Sequence, residues 1–279
     1  MTIAAFTYGD LVTGSQLEPG AAAVIGLAGW WYLFASRRLA RRGRRWPLRR
    51  TAPYLAGLAV MAVATQSGVA TADDRSFTAH VIQHLLLGMG APVLLALGAP
   101  LTLGLQSSNR DLRRHLIQIL HSPPVRLVTH PVTAWCVFGG SMFALYFTGL
   151  YAATLRSTPL HDLVHLVFVL SGCLFFWPIV SLDPIPHRLP YGGRMLYVLV
   201  ALPFHTIIGV ALVTQTKLIA PGLTLTDQQT GAGILWTAGE VLGLIAMMIV
   251  AAQWMTAEER DAIRQDRRLA AALPTLPVP

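Results

Sequence analysis

Two apolar stretches decide the fold of this chain: FTAHVIQHLLLGMGAPVLLALG at residues 77–98 and LHDLVHLVFVLSGCLFFWPIVS at residues 160–181. Each is long enough to cross the hydrocarbon core of a bilayer as a helix, which takes about 20 residues. Each also contains two histidines spaced i,i+4, namely His80 with His84 and His161 with His165. This spacing places both imidazoles of a pair on one face of a helix, one turn apart. Ionisable side chains are costly inside a membrane, so the two pairs are the first candidates for function.

The composition of the whole chain supports a membrane location. Hydrophobic residues make up 54% of the 279 residues and charged residues only 12%, against about a quarter in soluble domains. The mean hydropathy is +0.54. Seven apolar runs are long enough to be membrane spans, at residues 19–36, 52–71, 77–98, 131–152, 160–181, 194–214 and 229–253. The sequence therefore predicts an all-α polytopic membrane protein with seven transmembrane helices.

The distribution of basic residues predicts the orientation of these spans. Eighteen of the 21 Lys and Arg residues fall in the segments after spans one, three, five and seven. Because cytoplasmic loops are enriched in Lys and Arg, the N-terminus is predicted to lie outside and the C-terminus in the cytoplasm. The predicted organisation is a short extracytoplasmic N-terminus at 1–18, a seven-helix membrane domain at 19–254 and a cytoplasmic tail at 255–279.

Particular residues argue against two functional classes and one structural feature. The net charge of +8 comes from juxtamembrane arginines, which set topology and meet anionic lipid, so we expect no nucleic-acid partner. Lys217 is the only lysine and falls in an outer loop, which excludes a retinal Schiff base within a helix. Cys136 and Cys173 both lie in predicted spans without a CxxC motif, so a structural disulfide is not expected.

The predicted topology places the two histidine pairs at one depth. Spans three and five both run from outside to inside, and His80 and His84 lie about 4 to 10 Å below the outer end at 1.5 Å per residue. His161 and His165 lie at a matching level. Imidazole is a common ligand for copper and zinc, so the sequence predicts one metal site built from four histidines: His80, His84, His161 and His165. The alternative is that these histidines are interfacial residues that only form hydrogen bonds.

Three further polar residues in the spans are candidates to complete the site, and each has a structural alternative. His205 in span six is either a deeper relay ligand or a hydrogen-bonding residue. Asp227 opens span seven and either caps that helix or adds a carboxylate to the mouth of the site. Glu240 lies nearer the middle of the membrane, where a carboxyl group needs protonation or a partner.

The spacing of the histidines argues against haem as the cofactor. A membrane cytochrome b that holds two stacked haems places the two histidines of one helix about 20 Å apart, whereas i,i+4 histidines are about 6 Å apart. A single haem bridged by one histidine from each helix would leave the other histidines unexplained. A copper ion is therefore favoured over haem, with zinc or another transition metal as an alternative.

Several motifs, taken in order, resemble the CtaG-type family of bacterial cytochrome c oxidase assembly factors, which accompany caa-type oxidases. The similar segments are HVIQHLLL at 80–87, GAPLTL at 98–103, HDLVH at 161–165, FWP at 176–178, DPIPHR at 183–188, FH at 204–205 with Gly209, and DQQ at 227–229 with Gly231, Trp236 and Glu240. The resemblance extends from about residue 20 to 255. It implies a multi-pass protein of the bacterial cytoplasmic membrane that helps to mature a haem-copper oxidase, with oxidase subunits and an extracytoplasmic copper donor as partners.

The sequence thus favours an assembly factor that binds and hands over copper at the outer histidine cluster. This role requires neither hydrolysis nor redox chemistry. Two alternatives remain open: a membrane metalloenzyme that uses the same histidines with Glu240 or Asp227 as acid or base, and a scaffold that binds oxidase subunits without metal.

Overall fold

The computed structural model of the protein describes residues 14–272, and it is built from helices in this range. We number the α-helices in chain order and name the single π-helical segment separately. They are α1 (Pro19–Arg41), α2 (Leu48–Gln66), α3 (Gly68–Ala72), α4 (Phe77–Leu85), the π segment (Leu86–Gly90), α5 (Ala91–Leu97), α6 (Pro100–Ser107), α7 (Arg110–Leu120), α8 (Pro123–Val128), α9 (Pro131–Phe147), α10 (Leu150–Thr154), α11 (Thr158–Val180), α12 (Tyr191–Thr214) and α13 (Leu225–Ala272).

The third predicted span is continuous but changes its winding in the middle. It begins at Phe77 after Ser76, whose hydroxyl accepts a hydrogen bond from the Ala79 amide. The π segment follows directly after α4, and α5 then starts with Pro92 in its first turn. Proline has no amide proton to donate to the preceding turn, and π segments commonly occur where the normal helical hydrogen-bond pattern is interrupted. The change of winding therefore lies just below the first histidine pair.

This span lies at the centre of the bundle, and glycines on its neighbours let other helices approach it closely. A Cβ atom on Gly57 of α2 would lie 3.1 Å from side-chain atoms of Leu94 and Leu95. A Cβ atom on Gly231 of α13 would lie 2.7 Å from the ring of Phe77. Such short distances are possible only because glycine has no side chain. The third span is consequently surrounded by other helices, with most of its residues buried.

The connection after α5 is fixed by a buried carboxylate. Ala99 adopts a left-handed conformation with φ of 48°, and α6 begins at the next residue, Pro100. Asp183 accepts hydrogen bonds from the amides of Leu101 and Thr102, at 3.2 and 2.7 Å, and so caps the N-terminus of α6. It also accepts one from the indole of Trp177 at 3.0 Å. A carboxylate is well placed there because a helix N-terminus presents free amides and a partial positive charge.

The helices of the structure indicate a membrane protein. Within residues 14–272, four helical segments are long and apolar enough to cross a bilayer: Phe77–Leu97, Thr158–Val180, Tyr191–Thr214 and Leu225–Leu269. A fifth apolar helix, Pro131–Phe147, has 17 residues. Leucines that point away from the bundle are exposed, as expected for a lipid-facing surface; Leu163, Leu166 and Leu170 of α11 are all more than half exposed.

The first two predicted spans fall on α1 and α2, both of which carry arginines at the predicted cytoplasmic end. Seven spans and the orientation of the termini stay predictions. The predicted N-terminal segment at 1–18 lies mostly outside the described residues. At the other end, α13 continues without a break past residue 254 through most of the predicted tail, and residues 273–279 lie outside the described range.

Candidate metal centre

The two histidine pairs, which are 77 or more residues apart in the chain, meet in one cluster. The ring centroids are 4.1 Å apart for His80 and His84, and 4.3 Å apart for His161 and His165. Between the helices, His80 lies 6.1 Å from His161, and His84 lies 6.5 Å from His165. The i,i+4 spacing places each pair on one face of its helix. The packing of α11 against the π segment and α5, which continue α4, turns the two faces toward each other.

A glycine contact holds α11 close to the third span. An ideal Cβ atom on Gly172 would lie only 2.1 Å from the carbonyl oxygen of Gly88, which is in the π segment. Gly88 follows His84 by one helical turn, and Gly172 follows His165 by about two turns. The backbones of the two spans therefore touch just below the histidines, and this contact fixes the separation of the pairs.

A carboxylate from the loop before α4 joins His161 and His165 of α11, which we call the outer pair. The Nε2 atom of His161 lies 2.8 Å from Asp73 Oδ2 and 3.0 Å from His165 Nε2. The third side of this triangle, from His165 Nε2 to Asp73 Oδ2, measures 3.7 Å. An ion with ligand bonds of about 2.0 to 2.1 Å in a tetrahedral arrangement separates its ligand atoms by about 3.3 Å. The three donor atoms, 2.8 to 3.7 Å apart, lie close to this spacing and could hold one small transition-metal ion.

The second carboxylate of the loop faces the other nitrogen of His161. Asp74 Oδ1 lies 3.3 Å from His161 Nδ1. The hydrogen bond with His161 lowers the pKa of the Asp74 carboxyl, whereas burial raises the pKa of the Asp73 carboxyl. A carboxylate on the far nitrogen of an imidazole fixes the ring orientation and makes the ring a better ligand. Asp74 can serve this purpose when His161 binds a metal through Nε2.

The inner pair, His80 and His84, is completely enclosed by protein. The Nδ1 atom of His84 lies 2.8 Å from the hydroxyl oxygen of Tyr146. Nε2 of His84 and both nitrogens of His80 have no hydrogen-bond partner among the described residues, and the same holds for the Tyr151 hydroxyl beside His80. If His84 Nδ1 donates its proton to Tyr146, Nε2 keeps a free lone pair. A neutral imidazole carries one lone pair, so His80 and His84 each offer one nitrogen to a ligand that is not protein, and the second nitrogen of His80 carries the proton.

An acidic cavity open to the surface lies beside His161. It measures about 180 Å³, and its charged lining consists of one arginine, Arg156, and four carboxylates, those of Glu18, Asp73, Asp74 and Asp162, beside His161. Burial and the neighbouring Asp162 and Asp73 raise the pKa of the Glu18 carboxyl. Such a concentration of negative charge attracts cations. We call this cavity, which extends to His161, the acidic vestibule.

Two of the additional candidates from the sequence lie in another part of the bundle. His205 is buried against Gly239, where a Cβ atom would meet its ring at 2.5 Å, and it lines a small apolar cavity with Met89 and Phe138. Its Nε2 atom has no partner among the described residues. Glu240 accepts a hydrogen bond from the Thr206 hydroxyl at 2.6 Å, which satisfies a carboxyl group near the middle of a span. Neither residue is among the donor atoms that converge at the histidine cluster.

The third additional candidate, Asp227, is used as a helix cap. Its Oδ2 accepts a hydrogen bond from the Phe77 amide at 2.6 Å, and its Oδ1 accepts bonds from the Ser76 hydroxyl at 2.9 Å and the Thr78 amide at 3.3 Å. Asp227 belongs to α13 but caps α4, the helix that carries His80. It therefore helps to position the inner histidine pair by fixing the backbone at the start of α4.

This geometry gives a prediction that separates a cap from a ligand. We expect Asp227→Ala to lower the free energy of unfolding by about 1 to 2 kcal/mol, the usual cost of losing an N-cap, and to leave the number of bound metal ions unchanged. Thermal unfolding and metal analysis of the purified variant test both parts. Asp261→Ala, a change on the exposed end of α13, is the control. Loss of metal from a folded Asp227→Ala variant would assign this carboxylate to the site instead.

Asp73, Asp74 and Tyr146 were not among the candidates from the sequence. The two aspartates are adjacent in the predicted outer loop between spans two and three, at the same level as His161, and this position is a signal that sequence reasoning could have used. Tyr146 gave no such signal, because an aromatic residue at the outer end of an apolar helix is a common interfacial residue.

The fold and the site together define a helical membrane protein with a buried histidine and carboxylate cluster under an acidic vestibule. A family model described as cytochrome c oxidase caa3 assembly factor (Caa3_CtaG) matches residues 30–257. The chain belongs to this family, as the motifs around the histidines predicted.

Curated relatives are found in mycobacteria. Uncharacterized proteins of Mycobacterium leprae (strain TN) and Mycobacterium tuberculosis (strain CDC 1551 / Oshkosh) are each 34% identical to the chain over 266 residues, which is 89% of this chain. The aligned region is 40% of each relative, so the chain spans less than half the length of the curated proteins that it matches. The comparison with solved structures gives no significant match.

Proposed function

We propose that the protein assists the assembly of a haem-copper respiratory oxidase by binding copper at the histidine cluster and handing it on. The family supports the role in oxidase assembly. The copper proposal depends on the cluster itself, and one observation supports it most strongly: three nitrogens of His80 and His84 are fully buried without a partner among the described residues.

The energetics of these nitrogens favour a ligand. Each buried polar atom without a hydrogen bond costs about 1 to 3 kcal/mol relative to a satisfied one. Three unpartnered nitrogens on two neighbouring imidazoles are therefore a large cost for a fold to accept without benefit. A bound metal ion uses the lone pairs of imidazoles directly. The rings of Phe77, Tyr151 and Phe168 pack around the two imidazoles, so much of their surroundings is apolar.

The donor atoms form two levels along the path of an incoming ion. The outer level contains Asp73, His161 and His165, and the inner level contains His80 and His84. The ion first meets the vestibule carboxylates and exchanges water for oxygen and imidazole ligands at the outer level. Deeper ligands then come only from imidazole, because neither cysteine belongs to the cluster. Nitrogen and oxygen donors without thiolate suit Cu(II), and zinc is the main competitor.

An outer site of three donors also suits a protein that must release its metal. A closed four-ligand site holds an ion as a structural element, whereas three protein ligands leave one position for an incoming group. We infer that a ligand from an oxidase subunit or from a copper donor approaches through the vestibule and occupies that position. In the predicted orientation the vestibule opens on the outer face of the bacterial cytoplasmic membrane. Membrane lipid surrounds the helix bundle itself.

Metal analysis of the purified full-length protein tests the copper proposal. We expect about one copper ion per chain after loading and desalting, and we expect His84→Ala and His165→Ala each to remove most of it. His115→Ala, an exposed histidine on α7, is the matched control and should retain the metal, as should His205→Ala. Parallel loading with zinc establishes which ion is held more tightly. A wild-type protein without bound metal, or equal loss in the His115 control, would refute the site.

A second measurement separates copper delivery from scaffolding. In cells that lack the gene, the oxidase should be depleted in copper while its polypeptides are still made, and the His84→Ala variant should fail to restore its copper content. Normal copper occupancy in an inactive oxidase would contradict delivery and favour a scaffold that contacts oxidase subunits.

A further inference from the structure

A second polar cavity lies at the other end of α11 from the histidine cluster. Sixteen residues separate His165 from Ser181, which lines this cavity, so the two sites are about 24 Å apart along the helix axis. The cavity measures about 510 Å³. In the predicted orientation it opens at the cytoplasmic side of the membrane.

The lining of this cavity is strongly basic. It contains five arginines, Arg49, Arg50, Arg188, Arg194 and Arg260, and none of the residues that the structure places around it is acidic. Among the described residues, the one arginine paired with a carboxylate is Arg264, which lies outside the cavity. Five guanidinium groups therefore share one cavity, and none of them forms an ion pair with a carboxylate of the described part of the chain.

The arginines are oriented by neutral groups. Arg194 is only 9% exposed; its Nε donates to the Leu189 carbonyl at 2.9 Å, and its Nη1 donates to Gln253 Oε1 at 3.2 Å. Its guanidinium also stacks over Tyr191, 4.7 Å from the ring centroid. Arg50 stacks in the same way over Trp46 at 4.9 Å. These contacts restrict the guanidinium groups but leave their positive charge unbalanced.

Helix termini add to the positive potential. Arg49 and Arg50 are the second and third residues of α2, and Arg194 is the fourth residue of α12. The N-terminus of a helix carries a partial positive charge, so arginine in the first turn is normally unfavourable. The N-termini of α2 and α12 and their arginines thus lie at one cavity. A bound anion would stabilise this arrangement, because it would offset both kinds of positive charge.

We propose that this cavity binds the phosphate group of an anionic phospholipid. Arginine recognises phosphate through paired hydrogen bonds. The remaining lining includes apolar Leu97, Leu182, Ala252 and Ala257, which suit the start of acyl chains better than a small soluble anion. Basic pockets between membrane helices on the cytoplasmic side are typical sites for anionic head groups. The lipid would join α2, α12 and α13 at this end of the bundle.

Binding of defined lipids to the full-length protein in detergent tests the proposal by native mass spectrometry. We expect phosphatidylglycerol to bind about tenfold or more tightly than phosphatidylcholine. The double variant Arg50→Gln/Arg194→Gln should lose this preference. The control Arg267→Gln/Arg268→Gln removes the same charge from an exposed part of α13 and should keep it.

Each other outcome would overturn the proposal. Equal binding of the two lipids would exclude recognition of an anionic head group. Equal loss in the control variant would mean that the lipid responds to overall charge. If inorganic phosphate alone occupies the site and phosphatidylglycerol does not displace it, the ligand is a soluble anion. If the double variant does not fold, Arg188→Gln replaces it, because Arg188 is an exposed residue of the same lining. We expect this single variant to lose part of the preference for phosphatidylglycerol. An unchanged preference would refute the site.

Discussion

Replacement of His80 by leucine should make the protein more stable and at the same time abolish tight copper binding. Both ring nitrogens of His80 are buried without a partner among the described residues, and the side chain is 0% exposed. Leucine has a similar volume and no polar atoms, so His80→Leu removes an unsatisfied group without leaving a cavity. We expect a gain of about 1 to 3 kcal/mol in the free energy of unfolding of the metal-free protein.

Copper affinity should change in the opposite direction. Loss of a residue that only supports a metal ligand costs about 10- to 100-fold in affinity, so loss of a ligand itself should cost about 100-fold or more. Thermal unfolding of metal-free protein measures the first effect, which should appear as an increase of about 2 to 4 °C per kcal/mol in a chain of this size. Competition with a copper chelator measures the second.

His161→Leu provides the contrast, because it should destabilise the metal-free protein. His161 is a hydrogen-bond partner of Asp73, which is buried, and its removal leaves that carboxylate without it. Breaking a buried pair in this way costs about 3 to 5 kcal/mol. Both variants should lose copper, but their effects on stability should have opposite signs. Val81→Ala, beside His80 and equally buried, is the control for packing; it should lower stability and retain copper.

A clear decrease in stability with His80→Leu would contradict this argument. It would mean that the imidazole has a structural role in the metal-free fold, and the main support for the copper proposal would be lost. An increase in stability would show instead that His80 is retained at a cost to the fold, as is expected of a functional residue.

The helices and the histidine pairs could be predicted from sequence because both follow from local rules. The length of an apolar run identifies a span. The i,i+4 spacing places two imidazoles on one face of a helix independently of how that helix packs. The arginine distribution predicts one membrane depth for both pairs, and that depth stays a prediction. The structure then brings His80 and His84 against His161 and His165, although their role as metal ligands stays a prediction.

The parts that could not be predicted depend on packing between distant segments. Asp73 reaches the cluster from a loop whose path is set by α3, and no periodic pattern describes a loop. Asp227 looks like the cap of its own helix in sequence, yet it caps α4 across the bundle. The basic cavity is assembled from arginines in three separate regions of the chain. In the sequence these arginines indicate only which side of the membrane each loop occupies.

The helix contact at Gly172 gives the second large effect. We expect Gly172→Ala to destabilise the protein by about 1 to 3 kcal/mol, because a Cβ atom there would lie 2.1 Å from the Gly88 carbonyl oxygen and the helices must separate. The neighbouring Pro92 ring, 2.8 Å from the same Cβ position, limits movement in another direction. Thermal unfolding in detergent measures the change.

Gly140→Ala is the matched control, since it is the same substitution within a helix. Nothing lies within 4 Å of its Cβ position on α9, so the added methyl group meets no obstacle. Alanine is favoured over glycine in helix interiors, and this variant should be more stable than the wild type by about 0.5 to 1 kcal/mol. The two substitutions are chemically identical, so a difference in sign isolates the effect of the helix contact.

Gly172→Ala should also weaken copper binding, although Gly172 has no side chain that could bind metal. Separation of α11 from the third span increases the distance from His165 to His84, and ligand atoms must remain within a few tenths of an ångström of their positions to bind one ion. We expect a loss of about 10-fold or more in copper affinity, comparable with loss of a group that orients a ligand. If Gly172→Ala lowers stability but leaves copper affinity intact, the metal is held by Asp73, His161 and His165 without the inner pair. The Gly172 variant thus tests whether the two histidine pairs act as one site, because it changes their separation and removes no histidine.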